Sequence, residues 1–595
     1  MAQFSTTKAP LQKVYRDSFA GGVNSYLGVR QIKDEESPDM TNCDFIGKGG
    51  IGNRIGYTEI GSPSANYASG IKGLGQLKTS STSKLIKFTS DGSKVILEHS
   101  TDGGAWTQTA QSANNVNMDV IQAGSKLFTG NGVNLMREWD GTNWADTTNG
   151  TIGKYPTYYN KQLWVVDETN ADTLNFSGLY ATASSKLGDF TYHSATNTAA
   201  GTATFKPGSG QEITGLKVFK DALYVFLRDS IYKAEPTTTP NVFTITQVTN
   251  SVGCVSHRSI CQVEEDLYFA SDDGIYALGE VQNYVSVRTT NKSAKIQQVF
   301  NNLTAAKKKL LVGEYYNFKY HLFYSLNSDN NDSCVAYDIR YGGWVDWRNM
   351  PANDATVYED STGDKQLYFG HPTNSEVYKM YTGNNDNGFD ITSTWYSKSF
   401  DEGIPDITKI YFDHTFTFGS LNGTANIAVI FNDNEITGSG DASQTSPQGG
   451  FGRDAFGSIS FGGGSYEDAV WASSHTYKGG QVVFPTVDNN YSYYVSGVSS
   501  SFSISAYGGA SGTTEPTWPT SGTVTDNKIT WTTMTERSRN TSPIINVGLP
   551  LRIRAKGQKF AVQYRITSTG SWRLDNISTT FIPLDHYKFP SNLKL

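Results

Sequence analysis

Apolar and polar positions alternate along most of this chain in short runs of roughly four to eight residues. Clusters of Gly, Asn, Asp and Ser separate the runs, the pattern of half-buried strands joined by tight turns. One phrase recurs: an aromatic or Leu-rich strand, a polar turn, then a second short aromatic strand. It reads "SKLFTGNGVNLMREWDGTNW", "KQLWVVDETNADTLNFSGLY", "DALYVFLRDSIYKAE", "EDLYFASDDGIYALGE", "KYHLFYSLNSDNNDSCVAYDIRYGGWVDW" and "KQLYFGHPTNSEVYKMY", with a weaker, earlier version in "KLIKFTSDGSKVILEHSTDGGAW". No single hairpin can bury its own Tyr, Phe, Leu and Val face. Stacking such units side by side hides those faces, which is the logic of a propeller or β-solenoid. A β-propeller is therefore expected over residues 61–385. A helical rhythm stands out only in "NKSAKIQQVFNNLTAAKKKL" (291–310), which predicts a helix.

Near residue 386 the pattern changes. "DNGFDITSTWYSKSFDEGIPDITKIYFDHTFTF" and, much later, "LRIRAKGQKFAVQYRI" with "WRLDNISTTFIPL" read as longer strands. They predict a β-sandwich built from two halves, 386–437 and 536–595. Between the halves lie a Gly/Ser-rich linker (438–465) and a compact aromatic module (466–535). Residues 1–60 are Gly-rich and weak in core signal. They predict an extended N-terminal arm running along the body or along a neighbouring subunit. The expected fold class is all-β: a β-propeller followed by a β-sandwich that carries a small inserted aromatic β module.

Composition narrows the function classes. A length of 595 residues exceeds any single core, so about three or four domains are expected. The formal net charge of -7 argues against a non-specific nucleic-acid binder. The one basic cluster, Lys307 to Lys309, precedes an apolar run and reads as a solvated strand entry. Four cysteines make no disulfide framework, and the pair in "CVSHRSIC" (Cys254, Cys261, flanking His257) lacks a second ligand pair, so buried free thiols are expected. No signal-peptide core and no membrane-spanning run is legible, which predicts a soluble product made in a cytoplasm.

The candidate chemistry dissolves on inspection. "GKGGIG" (47–52) satisfies a dinucleotide-binding glycine pattern, but "NRIGYTEIG" follows it where a helix is needed, so a pair of tight turns is expected. "DNNDSC" (329–334) lacks the glycine and the terminal carboxylate of a calcium loop and reads as a hairpin tip. "STDGGAW" (100–106) nearly matches the structural box of sialidase-like propellers, yet no arginine cluster or activated tyrosine accompanies it. Nucleophile-elbow and zinc-protease signatures are missing. Asp272 and Asp273 are a possible carboxylate pair, but beside the sister phrases they fit a hairpin turn at Asp273-Gly274. No catalytic residue, cofactor or metal site is expected, and the chain reads as a non-enzyme. The aromatic module offers the one binding candidate. Trp471, Tyr477 and Trp531 are assigned to its core. Tyr493, Tyr494 and Trp518 are candidates for exposed stacking on sugar rings.

Several stretches resemble a known family. "FAGGVNS...IKDEESPDMTNCDFIGKGGIGNRIGY" (19–57) is similar to the opening of bacteriophage tail structural proteins, which pair a "GG-x-N" start with an "N-x-D/R...GG-x-x-x-R-x-GY" segment. "LKVFKDALYVFLRDSIYKAE", "VAYDIRYGGWVDW" and "KSFDEGIPDITKIYFD" resemble their propeller and following sandwich. The 470–531 block is similar to a carbohydrate-binding-like module inserted in phage virion proteins. The nearest likeness is to the tail nozzle proteins of short-tailed phages. It implies a homo-oligomeric ring of six copies at the distal tube, contacts with other tail proteins, a place in the virion, and phage DNA leaving through the channel without sequence-specific binding. An acidic lumen would keep that DNA from sticking. The alternative is a tail adhesin that binds host surface polysaccharide through residues 466–533.

Overall fold

The computed structural model describes residues 11–583 except 63–66, 181–185, 192–199, 207–209, 240, 280–290, 423, 432–434, 444–468, 471–472, 475, 478–481, 485–491, 499–508, 511–512, 520, 522, 528, 535–548, 554–556 and 560. Each recurrent phrase is the central hairpin of one propeller blade. Blade one is Ile71–Lys78, Ser83–Ser90, Lys94–Ser100 and Thr107–Asn114, and blade two is Asp119–Ala123, Lys126–Gly130, Arg137–Trp139 and Trp144–Asp146. Blade three is Gly153–Tyr159, Gln162–Asp167, Thr173–Phe176 and Gly201–Thr204. Blade four is Ile213–Phe219, Ala222–Leu227, Ile231–Pro236 and Phe243–Thr249. Blade five has the strands Cys261–Val263, Asp266–Ala270 and Ile275–Ala277, and blade six Val312–Tyr316, Lys319–Tyr324, Ser333–Asp338 and Gly343–Arg348. Blade seven supplies Asp354–Glu359, Lys365–Gly370 and Val377–Met380 from its own stretch of chain. Its outer strand is Tyr57–Glu59, which pairs antiparallel with it, Tyr378 opposite Glu59 and Met380 opposite Tyr57.

The inner strands follow one another round a closed ring. Blade one's lies against those of blades two and seven, and the turn His257–Ser259 fills the step between blades four and five. The apolar core sits between blades, as the one-sided hairpins require. Leu216 and Leu223 of blade four pack with Trp164 and Leu174 of blade three, and Phe226 of blade four with Leu267 and Phe269 of blade five. Tyr358 and Tyr368 of blade seven pack with Ile71 and Leu85 of blade one, sealing the seam.

The sandwich faces aromatic rings across two sheets. Lys409–Leu421 and Trp572–Pro583 belong to one sheet, Thr424–Phe431 and Val562–Ser568 to the other. Tyr411 meets Phe431 at 5.3 Å between ring centroids, and Phe416 meets Tyr564 at 5.4 Å. A second compact unit, 441–549 with 419–424, falls in the chain between the sandwich strands. Its main sheet orders Ala469–Val470, Val482–Phe484, Ser492–Val498, Ile529–Met534 and Thr523–Asp526.

Residues 11–60, expected as an extended arm with little core, form a belt that the body absorbs. Gln12–Arg16 pairs with Trp572–Pro583, and the hairpin Cys43–Ile46/Gly50–Asn53 joins the same sheet. Met40–Thr41 pairs with the outer strand of blade six on one side and with Ser393–Tyr396 of the sandwich on the other, so one nine-stranded sheet runs through both. Single short strands and charged anchors give no periodic signal, which is why the core contribution of Met40, Cys43, Phe45 and Ile51, all buried, is hard to read from sequence. Two glycines allow the close approach. A Cβ on Gly56 would lie 1.8 Å from the Asn385 carbonyl, and Gly22, at φ +74°, sits against the Trp344 backbone.

Buried charges pin the belt. The Arg54 guanidinium donates bidentately to Asp386 at 2.8 and 2.6 Å, and also to Asn42 Oδ1, the Arg348 carbonyl and the Ile55 carbonyl. Arg16 donates to both Glu402 oxygens at 2.7 Å with its guanidinium over the Phe400 ring. Glu36 accepts from Asn24, the Lys33 amide and Lys295. Burial would raise its pKa, but those bonds outweigh burial and hold it below the usual glutamate value.

The 291–310 helix is broken. A 3-10 turn Ala294–Ile296 runs into Gln297–Asn301, and a second short helix Ala305–Lys308 starts at Thr304, whose side chain accepts from the Lys307 amide. That cap restarts the helix and ends the longer one. Among the described residues no helix is long and apolar enough to cross a membrane.

Removing Asp386 leaves a buried, unpaired guanidinium at the ring seam. Asp386→Ala is expected to cost about 3–5 kcal/mol, read as an early thermal transition, whereas Asp386→Ala at wild-type stability would show that the seam does not depend on the pair.

Candidate functional site

The propeller axis is where inner-strand side chains of every blade converge. The turn His257–Ser259 aims Arg258 into it, and three anchors fix that turn. Ser259 Oγ donates to the Ser256 carbonyl at 2.7 Å, Ser256 Oγ to the Leu311 carbonyl at 2.7 Å, and the Cys254 thiol to the Ser256 carbonyl. Arg258 Nε donates to Asp119 Oδ1 at 2.9 Å, at the start of blade two. Its Nη1 donates to the Asn353 carbonyl before blade seven, and its Nη2 to the carbonyls of Lys72 in blade one and Met118. Asp354 Oδ1 lies 3.9 Å from Nη1. A single guanidinium thus ties the approach to blade five to blades one, two and seven.

What remains open on the axis is a cavity of about 270 Å³. Acids and bases alternate round it: Asp119, Asp354 and Glu314 against Arg258 and Lys217. His257 stacks on Tyr155 at 4.3 Å, and its Nδ1 accepts from the Leu216 amide. Burial lowers its pKa to about 4, so it is neutral at physiological pH. Burial pushes Asp354 up to about 6 against the pull of Arg258 and of the Leu74 amide, which donates at 2.7 Å. Burial also raises Glu314, partly offset by Lys217. The axis is a satisfied polar core.

A larger cleft of about 770 Å³ opens where loops of blades three, four and five meet the Ala305–Lys308 helix. It holds Asp272 of the sequence-flagged pair. Asp272 accepts from Arg228 Nε at 2.7 Å and Nη2 at 3.1 Å, while Asp273 accepts from the Tyr276 hydroxyl at 3.0 and 2.9 Å. The two carboxylates have separate partners and share no proton site. The Ser271 amide donates to the Gly274 carbonyl, closing the hairpin turn that the sequence suggests. Lys309 pairs with Glu212 and Lys308 donates to the Asp272 carbonyl, so two of the three lysines of the basic run make local contacts. Among the described residues no aromatic ring lines this cleft. Among the described residues no group of three or more His, Cys, Asp or Glu is placed to hold a metal ion, and all four cysteines are free and buried.

In the aromatic module the core assignment holds for Trp531, which is fully buried with Val483 and Ile529. Tyr493, read from sequence as an exposed sugar contact, belongs to that same core at 0% exposure. Alternation misplaces it: it faces inward beside Val483, and its hydroxyl donates to the Pro519 carbonyl. Trp518 is half-buried, packed at a 35° tilt on Tyr493 at 4.3 Å, with its Nε1 donating to Glu515. One face of its indole is therefore taken. The backbone of Tyr494 pairs with Val482, and that of Tyr477 with Gly509; the side chains of both, and all of Trp471, lie outside the described residues. Sequence reasoning missed Arg258, Asp119 and Asp354. The signal was an arginine inside the otherwise small and apolar "CVSHRSIC", which we read for its thiols.

No protein-family model matches the sequence, and no curated protein does. Among solved structures, the Pan2 WD40 domain of Neurospora crassa is 8% identical, with 55% of this chain and 96% of that one covered at a TM-score of 0.34. PorZ, a surface component of the type-IX secretion system of Porphyromonas gingivalis, is 9% identical over 64% of this chain and 55% of its own, at 0.34. The computationally designed protein Ika8 is 9% identical over 54% of this chain and 99% of its own, at 0.31. Likenesses at this level bear on neither activity nor partners.

Arg258→Ala leaves Asp119 and Asp354 facing each other without their counter-charge and should destabilise the propeller by about 3–5 kcal/mol. Lysine, with one point of charge, is expected to restore little. Asp354 adds a pH signature. Its folded pKa of about 6 exceeds the ordinary aspartate value of 3.8, so its contribution to stability is full below the lower value and lost as pH rises through the upper. Unfolding of wild type against Asp354→Asn should show the gap changing between those limits; a flat difference would refute the buried placement.

Proposed function

We propose that this chain is a structural subunit of a bacteriophage tail, a nozzle-like ring at the distal tube that forms part of the genome-exit channel. The observation that carries the reading is where the family-like residues fall. "GG-x-N" supplies Gly22 against blade six and Asn24, whose side chain donates to the buried Glu36. "GG-x-x-x-R-x-GY" supplies the belt hairpin, then Arg54 at the seam, Gly56 against Asn385, and Tyr57, which begins the closing strand. Residues that carry the resemblance are those that close the ring and bind it to the sandwich. This is what a part selected for mechanical integrity needs, and a substrate site needs none of it.

The axial cluster supports the same reading and refines it. The propeller's own axis is occupied by Arg258 and carries both signs of charge, so it is no passage for DNA. The acidic lumen lies between copies of the chain, on a ring of six. Neighbouring tail proteins are the other partners, and the virion is the location. The adhesin alternative loses Tyr493 to the module core and is left with half-buried Trp518, itself packed on Tyr493 and Trp531, and with Tyr494, whose side chain lies outside the described residues.

Negative-stain imaging of the purified chain, and gold-labelled imaging of the particle, test the proposal. Rings with a central channel, and label at the distal tail, are expected. Isolated subunits at high concentration together with an unlabelled tail would overturn it.

A further inference from the structure

Lys319 begins the second strand of blade six with its side chain only 2% exposed, held between two carboxylates. Its Nζ is 3.1 Å from Asp44 Oδ2, on the belt strand Cys43–Ile46, and 3.4 Å from Asp338 Oδ2, on the next strand of the blade. Asp338 is fully buried. An aromatic wall screens the site. The ring of half-buried Tyr381 lies 6.0 Å from Nζ, its hydroxyl meets His321 Nε2 at 2.7 Å, and Trp347 packs on both rings.

The two carboxyl groups differ. Burial raises the pKa of Asp44, partly offset by Lys319. Burial acts on Asp338 too, but there the bonds from Arg340, with the charge of Lys319, outweigh it and hold the group below its ordinary value. Environments that push two neighbouring acids apart assign them different roles. Asp44, the nearer to Nζ at 3.1 Å, is placed for attack at its carbon; Asp338, 3.4 Å away and fixed by Arg340, is placed to take protons. An amine, an acid and a base are therefore assembled within contact in a water-poor pocket, where proximity replaces a bimolecular encounter.

We propose that Lys319 and Asp44 condense into an intramolecular isopeptide bond, with Asp338 as the base, joining the N-terminal belt covalently to blade six. The Lys319 ammonium gives one proton to Asp338, and the freed lone pair attacks Cγ of Asp44. The Cγ–Nζ bond forms, the Cγ–OH bond breaks, and the hydroxyl leaves as water with a second ammonium proton. The third stays on the amide nitrogen. Asp338 returns its proton to solvent past the partly exposed Arg340. Ammonium, acid and carboxylate become amide, water and acid, so charge balances and no oxidant or cofactor is required.

Denaturing mass spectrometry of the full-length chain, followed by tryptic mapping, decides it. The wild type should weigh one water less than its sequence and yield a branched peptide joining the fragments that hold Asp44 and Lys319. Lys319→Arg keeps the positive charge and should restore the full sequence mass. Asp338→Ala should slow bond formation at least about a hundredfold, the usual contribution of a positioned base. A wild-type chain at full mass, with Asp44 and Lys319 in separate linear peptides, overturns the proposal. A water still missing in Lys319→Arg overturns the assignment to this lysine.

Discussion

The ring depends on a buried guanidinium. Seven blades are drawn from one long stretch of chain, but the last lacks its outer strand, and Tyr57–Glu59 must come from the far end of the sequence to supply it. Three paired residues cannot hold such a seam by backbone bonds alone. Arg54, just before them, uses all five of its N–H donors on Asp386, Asn42 and the carbonyls of Arg348 and Ile55. A charge this deep is tolerated only when every donor is met. The arrangement is therefore all or nothing: belt, blade six, blade seven and the first sandwich strand are in place together or not at all.

The axis repeats the solution on a smaller scale. Arg258 binds carbonyls and a carboxylate from three blades other than the one it precedes. The central space that propellers often leave for a ligand is thereby spent on structure. The buried acids with raised pKa include Asp354 and Glu314 round this residue, Asp44 beside Lys319 and Asp346 beside Arg348, places where burial and a counter-charge explain the shift without any substrate. Perturbed titration marks active sites only probabilistically, and in this chain it marks the joints. That distribution is what the proposed mechanical role in a tail would call for.

How much was legible follows from the length scale of each feature. The recurrent hairpin phrase, from "KLIKFTSDGSKVILEHS" to "KQLYFGHPTNSEVYKMY", gave the all-β propeller because alternation over a whole strand survives in one sequence. Asp272-Asp273 was readable as a turn, but of the glycines of 47–52, expected as a pair of turns, only Gly47 and Gly49 make one, while Gly50 and Gly52 lie in the strand Gly50–Asn53. Features carried by single residues were not readable. Arg54, Arg258 and Lys319 look like ordinary surface charges until folding brings partners from distant segments. Tyr493 and Tyr494 are adjacent aromatics, and nothing local says which of them faces inward. The helix expected over 291–310 forms only as short pieces, Ala294–Ile296 running into Gln297–Asn301 and then Ala305–Lys308, the last restarted by the Thr304 cap on the Lys307 amide.

Native-state hydrogen exchange measures the central constraint directly. The Gly56 amide donates to the Gly383 carbonyl and the Ile60 amide to the Val377 carbonyl, bracketing the closing strand. If the belt closes the ring as argued, these amides exchange only with the global opening that also exposes the Ser83–Ser90 strand of blade one. Exchange of Gly56 and Ile60 by a separate, low-energy opening, with blade one still protected, would contradict the account.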